Sequence, residues 1–239
     1  LGVDGCDATV RAATKRAENA VAALDIPEPA MEVIRERCAQ TGARLITPDR
    51  SELEILEKPG LRGSRFRYRG QEYRLNLGGA YQVTNALTAI EALTCAGVTP
   101  AHIAMGIERA RIPARMELLP GDILLDGGHN PQAARAVRSA LEDSGYEHRT
   151  AFIGMMNTKD HRAFLQEILP CFDRVYFCDG FSEGEVPAEE LRRISGLDGA
   201  EIFHSPREAL KFARRDREGG LMYFGGSFYF AAAVREYLV

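Results

Sequence analysis

No GxxxxGKS or GxxxxGKT segment occurs in the 239 residues, so the loop that cradles the β- and γ-phosphates of a nucleotide and places a lysine and a Mg2+ ligand is absent. No GxGxxG follows a strand candidate, which sets aside a dinucleotide-binding dehydrogenase. An excess of one charge is lacking too. The 34 acidic and 30 basic residues leave a net charge of -4, without the electrostatic footprint of a nucleic-acid or anionic-membrane partner. No apolar run approaches the roughly 20 residues that span a bilayer. The five cysteines, Cys6, Cys38, Cys95, Cys171 and Cys178, are odd in number and form no CxxC pair. That argues against a disulfide framework or structural zinc site, and for buried free thiols in a reducing cytoplasm. The opening Leu1-Gly2-Val3-Asp4 has no initiator Met, basic region or apolar core, so it reads as an interior cut rather than a signal peptide.

What is present is an ordinary globular composition, 45% hydrophobic, long enough for one large domain or one domain plus part of another. Small molecules are the partners to expect. The Ala-rich stretch from Asp7 to about Ala23 favours a helix by propensity. Met31, Ile34 and Cys38 recur at helical spacing before Gly42, and Ala43 to Thr47 reads as a short strand. Ser64 to Leu77 alternates strictly around Arg69-Gly70, the pattern of a hairpin with one buried face. A helix follows over Ala80 to Cys95, with Val83, Leu87, Ile90 and Leu93 on one face, and a shorter one starts at Thr99-Pro100. Residues 111–113 look like a linker.

Beyond the linker, strand and helix candidates alternate about five times. The strands are Asp122–Asp126, Arg149–Ile153, Arg174–Cys178, Glu201–Phe203 and Leu221–Phe224. Helices start near Pro131, Asp160, Pro187 and Pro206, and a last one runs over Ser227–Leu238. Apolar strands alternating with amphipathic helices predict a Rossmann-like α/β domain with a mostly parallel sheet covered on both faces.

The sharpest chemical feature is Ile123-Leu124-Leu125-Asp126-Gly127-Gly128-His129-Asn130-Pro131. An apolar strand ends in Asp, two glycines allow a tight turn, and Asn130-Pro131 opens a helix as N-cap and first-turn proline. Ligands of open α/β sheets bind at this end of the strands, which puts Asp126 and His129 at a crevice. The plainer alternative is a turn-capping Asp126 and an exposed His129. His102, His148, His161 and His204 lack metal-like spacing and read as non-catalytic.

The 126–131 segment resembles the DGAHNP signature of the folylpolyglutamate synthase and dihydrofolate synthase family of the Mur ligase superfamily, with Gly128 where Ala is usual, a small change. Four other stretches match in order. Tyr81-Gln82-Val83-Thr84-Asn85-Ala86 is similar to the HQxxNA helix, and Pro113-Ala114-Arg115-Met116-Glu117 to the PGRxE segment, with Ala114 for Gly. Gly154 to Asp160 is like GxxxDKD, and Gly226-Ser227-Phe228-Tyr229 like GSLY.

The resemblance implies that residues 1–111 are the carboxyl-terminal part of a central ATPase-type ligase domain without its P-loop, and 112–239 the Rossmann-like carboxyl-terminal domain. It implies a monomeric cytoplasmic ligase that uses ATP and Mg2+ to add L-glutamate to folate or dihydropteroate through an acyl phosphate, with the isolated chain inactive. By the same resemblance, Gln82 and Asn85 serve the nucleotide, with Asn85 at the adenine. Arg115 serves the phosphates, Asp126 the ribose, and His129 and Ser227 the substrate, with His129 also catalytic. Plainer readings stand beside these: Gln82 as a solvated helix residue, Arg115 as a surface charge, Ser227 as a helix cap and Lys159 as a solvated charge. Lys15 or Arg16 aligns with a Mg2+-associated lysine, but the flanking residues do not match, and no metal ligand is carried over. A Mur-type amino-acid ligase and a non-catalytic nucleotide-binding module remain the rival readings.

Overall fold

The computed structural model describes residues 17–157, 160–215 and 220–238. The chain folds as two compact units. One takes in the described residues through Lys58 together with Ser64–Leu75 and Tyr81–Ala110; the other takes in Pro59–Gly63, Asn76–Ala80 and the described residues from Arg111 onward.

The first unit opens with a short parallel pair, β1 (Asn19–Val21) and β2 (Arg44–Ile46), linked by helix α1 (Glu28–Thr41). The helical propensity of the Ala-rich segment therefore does not hold over its described part, Ala17 to Ala23. Pairing with β2 overrides it, as Arg44 N donates to Glu18 O and Ala22 N to Ile46 O. Residues 7–16 of that expected helix lie outside the described residues. α1 ends at Gly42 in a left-handed C-cap (φ 73°), a conformation glycine adopts without a Cβ penalty.

The predicted hairpin forms as β4 (Gly63–Tyr68) and β5 (Gln71–Leu75), antiparallel in register Phe66↔Tyr73. Arg69 and Gly70 both have positive φ (49° and 74°), as the tightest hairpin turn requires. β3 (Leu53–Gly60) borders β4. Helices α2 (Tyr81–Cys95) and α3 (Pro100–Arg109) pack on β5. α2 buries Val83, Leu87 and Ile90, whereas Leu93, expected on the same face, is exposed. Inside the unit Tyr68 donates its hydroxyl to the buried Glu91 carboxylate and accepts from Asp49 N at 3.0 Å. That pairing and an Arg69 contact at 3.1 Å satisfy a charge that burial would otherwise penalise.

The second unit is a six-stranded sheet in the order β10 (Ile202–Phe203), β9 (Arg174–Cys178), β8 (Arg149–Ile153), β11 (Leu221–Gly225), β7 (Ile123–Asp126), β6 (Glu117–Leu119). All neighbours are parallel except β6, which pairs antiparallel with β7. β7 and β11 are buried at every position, so their apolar runs carry no alternation, as expected of strands covered on both faces. On one face Phe152 stacks on Phe224 (4.6 Å between ring centres) and on Tyr176 (5.0 Å). This aromatic layer packs under α7 (Pro206–Arg215) and α8 (Phe228–Arg235). Each such buried ring contributes about 1.5–3 kcal/mol. Helices α4 (Pro131–Glu142), α5 (His161–Ile168) and α6 (Ala188–Ser195) pack in succession against one another, supplying the opposite layer. Of the expected buried cysteines, Cys38 and Cys178 are buried, Cys171 is half-buried and Cys95 is exposed. No helix among the described residues is long and apolar enough to cross a membrane.

Candidate functional site

In the second unit the sequence motifs converge on the carboxyl end of β7. Asp126 ends the strand 3% exposed, and each carboxylate oxygen accepts a backbone N–H: Oδ2 from Met116 at 2.9 Å, Oδ1 from Gly128 at 2.8 Å. Burial pushes this carboxyl above the ordinary aspartate range, against the opposing pull of the two N–H groups and of the Arg115 charge. Asp126 thus ties the loop that follows it to the segment that carries Arg115.

That segment is a strained turn. Ala114 and Met116, on either side of Arg115, both sit in the left-handed region (φ 54° and 47°), which costs a residue with a Cβ roughly 1–2 kcal/mol. Three hydrogen bonds hold it. Ala114 N donates to Glu117 Oε2 (2.9 Å), Gly127 N to Ala114 O (2.7 Å), and Met116 N to Asp126. Glu117 is itself gripped by Arg235 Nε at 3.0 and 3.1 Å from its two oxygens. Both neighbours of Arg115 are buried while Arg115 is exposed, so the turn presents the guanidinium to solvent from a fixed base. Glu117 thus braces the Arg115 turn, a task that the sequence reading did not give it. Its signal in the sequence is its place as the glutamate that closes the PGRxE-like segment, three residues beyond Ala114.

The loop after Asp126 is shaped by close approach. A Cβ on Gly127 would lie 2.9 Å from Phe228, and one on Gly128 would lie 2.5 Å from Asp126 Oδ1 and 2.6 Å from Ala133 Cβ. The Gly128 departure from the resembled signature is therefore not a free exchange in this structure, because both neighbours are fixed. Asn130 accepts from Ala133 N at 2.8 Å and Pro131 opens α4, as the pattern predicted. His129 is half-buried in this loop and makes no hydrogen bond or ion pair with another described residue. Ser227, 2% exposed, caps α8 by accepting from Tyr229 N at 3.2 Å, the plainer of its two expected roles. Arg115, Asp126, His129 and Ser227 thus belong to one neighbourhood through the 114–117 turn, the 126–130 loop and its contact with Phe228.

Gln82 and Asn85 belong to the first unit. Gln82 is 3% exposed and not a solvated residue; its Oε1 accepts from Asn85 Nδ2 at 3.0 Å, leaving Asn85 at the surface with its amide plane fixed. Lys15, Arg16, Thr158 and Lys159 lie outside the described residues.

Among the described residues a group of Asp179, Glu189 and His204 places possible metal-ligand atoms within 4.8 Å of one another. Its members already engage each other and the backbone. His204 Nδ1 lies 2.8 Å from Asp179 Oδ1, and Ala188 N donates to Asp179 Oδ2 at 2.8 Å. The group sits at the ends of β9 and β10. β9 is three strand positions from β7, about 14 Å at the usual strand spacing. It is not part of the Asp126 neighbourhood.

Residues 114–228 match the family described as Mur ligase, glutamate ligase domain. The folylpolyglutamate synthase of Lacticaseibacillus casei is 28% identical over 233 residues, 90% of this chain and 52% of that protein. The UDP-N-acetylmuramate--L-alanine ligase of Psychrobacter cryohalolentis is 30% identical over 146 residues, 56% of this chain and 29% of that one. The solved folylpolyglutamate synthase of Mycobacterium tuberculosis, complexed with ADP and AMPPCP, superposes with a TM-score of 0.81 at 22% identity, covering 99% of this chain and 60% of that one. The chain spans about half the length of the first relative, and the similarity lies in the carboxyl-terminal portion. By these matches residues 114–228 resemble the glutamate ligase domain of Mur ligases, and the chain as a whole is similar to the carboxyl-terminal portion of folylpolyglutamate synthases.

Proposed function

We propose that the chain is the carboxyl-terminal part of an ATP-dependent carboxylate–amine ligase that joins L-glutamate to folate or dihydropteroate. The observation that carries the reading is the Asp126 junction, where one buried carboxylate fixes both the Arg115 turn and the His129 loop at the end of a central strand. That is where an open α/β sheet binds its ligand. In this reading residues 1–111 are the end of a central ATPase-type domain and 112–239 the carboxyl-terminal domain.

ATP supplies the phosphoryl group that activates the carboxylate. Arg115 binds phosphate oxygens, its fork matched to them and its base held by the turn. Asp126 accepts from the ribose hydroxyls with the lone pairs its two N–H partners leave. Asn85 pairs with adenine through an amide that Gln82 orients, so Gln82 acts by positioning Asn85. His129, free of partners among the described residues, meets the incoming glutamate or the carboxylate it attacks, and the Ser227 cap holds Phe228 against the loop. Mg2+ accompanies the nucleotide, and we assign it no ligand among these residues. The partners are small molecules, the protein works as a monomer in the cytoplasm, and the chain by itself does not complete the reaction.

The test is to purify the protein that bears this sequence at its natural length and incubate it with ATP, Mg2+, a reduced folate or dihydropteroate, and labelled L-glutamate. Label should enter the folate only when ATP is present, and Arg115→Ala should slow it roughly 100-fold, the scale of losing one charge-stabilising donor. Transfer of an amino acid to a muramoyl substrate instead would favour the Mur ligase reading, to which the UDP-N-acetylmuramate--L-alanine ligase match lends support. No ligation with either substrate would leave a nucleotide-binding module.

A further inference from the structure

Two consecutive glycines, Gly78 and Gly79, lie buried in the 76–80 segment of the second unit. A glycine is required either by a left-handed backbone or by close approach, and here the two tasks are divided. Gly79 has φ 93°, and its N–H donates to Gly60 O at 3.0 Å. Gly78 is outside the left-handed region, so conformation does not explain it. Space does. A Cβ on Gly78 would lie 2.9 Å from Leu61 O, 3.0 Å from Met116 O and 3.1 Å from Met116 Cβ.

These neighbours have little room to yield. Two of the three atoms are backbone carbonyl oxygens. The third belongs to Met116, which is 2% exposed, sits at φ 47° and donates its N–H to Asp126 Oδ2 at 2.9 Å. A methyl group at 78 would have to push them back by several tenths of an ångström to reach ordinary contact. Met116 directly follows Arg115, so that displacement passes to the backbone from which the guanidinium projects. Asp126 and Glu117 hold the turn by hydrogen bonds. Gly78 closes it by contact.

We propose that Gly78 is a positioning residue for Arg115: its bare backbone is the surface against which the turn is set, and so it fixes the direction of the guanidinium. The proposal rests on Arg115 binding the phosphates of ATP, as proposed above.

The experiment compares Gly78→Ala with Gly60→Ala in the natural-length protein. A Cβ on Gly60 would meet nothing within 4 Å, and its φ too is outside the left-handed region, so it controls for the added methyl group. In Gly78→Ala the KM for ATP should rise about tenfold, on a scale where a misplacement of about 1 Å costs about 100-fold. The KM for L-glutamate should not change, and Gly60→Ala should change neither. In an Arg115→Ala background Gly78→Ala should have no further effect on the ATP KM, because the group it directs is gone. The Arg115 Nε–H resonance and the amides of 114–117 should shift in Gly78→Ala without nucleotide bound. If Gly78→Ala does not fold, Met116→Gly withdraws the Cβ on the other side of the contact and should raise the ATP KM with the same selectivity. An unchanged ATP KM, a fall in kcat alone, or an effect undiminished by the loss of Arg115 overturns the proposal. Failure of the two readings is separable. If the natural-length protein ligates nothing but the Arg115 resonance still moves in Gly78→Ala, the functional reading falls and the positioning stands. Ligation with both the ATP KM and the Arg115 resonance unmoved overturns the positioning alone.

Discussion

Replacing Glu117 with Ala tests how the turn around Arg115 is held. Two left-handed residues, Ala114 and Met116, cost roughly 2–4 kcal/mol together. Against that stand two hydrogen bonds to charged acceptors, at about 1.5–3 kcal/mol each, and one neutral bond at about 0.5–1.5 kcal/mol. The turn is therefore held by a margin similar to one of the charged bonds. Glu117→Ala leaves the buried Ala114 N–H without its acceptor, which should lower stability by about 1.5–3 kcal/mol. It should also bring the turn to near balance, so that residues 114–116 sample relaxed backbone. Glu117→Gln keeps an acceptor oxygen for Ala114 N and should lose less than half as much. Arg235→Ala should lose less still, because the bond to Ala114 survives it. The assays are the guanidinium midpoint of the second unit and backbone 15N relaxation at 114–116. Should Glu117→Ala lie within about 0.5 kcal/mol of the parent, on the scale of ordinary surface substitutions, or should Gln do as much harm as Ala, Glu117 is not what holds the turn.

Gly128→Ala, which restores the residue usual in the resembled signature, should destabilise this chain by about 1–3 kcal/mol, the usual cost of overpacking. The new Cβ would be 2.5 Å from a pinned carboxylate oxygen and 2.6 Å from Ala133 Cβ; a thermal melt unchanged by the substitution would show that the loop yields freely. The His204 imidazole is held above its ordinary value of 6.5, first by its hydrogen bond to Asp179 and then by the charge of that carboxylate. A raised pKa means the folded state binds the proton more tightly. The pair's contribution is therefore full below pH 6.5 and is lost as pH rises through the folded-state value. NMR titration should place the His204 midpoint above 6.5, and Asp179→Asn should bring it down; a midpoint unmoved by that change would remove Asp179 as the cause.

The parts of the fold legible in the sequence are those where local pattern and tertiary demand agree. Residues 64–77 alternate because one face of the hairpin is buried, and Arg69-Gly70 supplies the two positive φ values its turn needs. The alternation of apolar strands with helices after residue 113 announced a parallel sheet for the same reason. The missed strands lack that agreement. Among the described residues β3 borders only β4; it contains Pro59 and shows no regular burial, which an edge strand tolerates. β6 is three residues long, and β1 forms inside an Ala-rich stretch because β2 offers it a partner. No short window of sequence contains that partner.

The site divides along the same line. Asp126, His129 and the Asn130-Pro131 cap were legible because a strand end, two glycines and a capped helix are contiguous. What Asp126 does was not, since Met116 is ten residues away and reaches it only through positive φ at two residues with side chains, one of them where the resembled pattern has glycine. Glycine at 114 would relieve strain but would leave the backbone before Arg115 with more freedom to lose. Ala114 instead buries its methyl at 1% exposure and limits the conformations open to the turn. Strain of this kind persists only where surrounding bonds over-determine it. Here those bonds come from Glu117 and from Asp126, whose carboxyl is itself disfavoured by burial. The molecule thus sets a buried carboxyl and a strained turn against each other around one exposed guanidinium. That is the arrangement expected where the direction of Arg115 matters more than the stability of the segment that carries it.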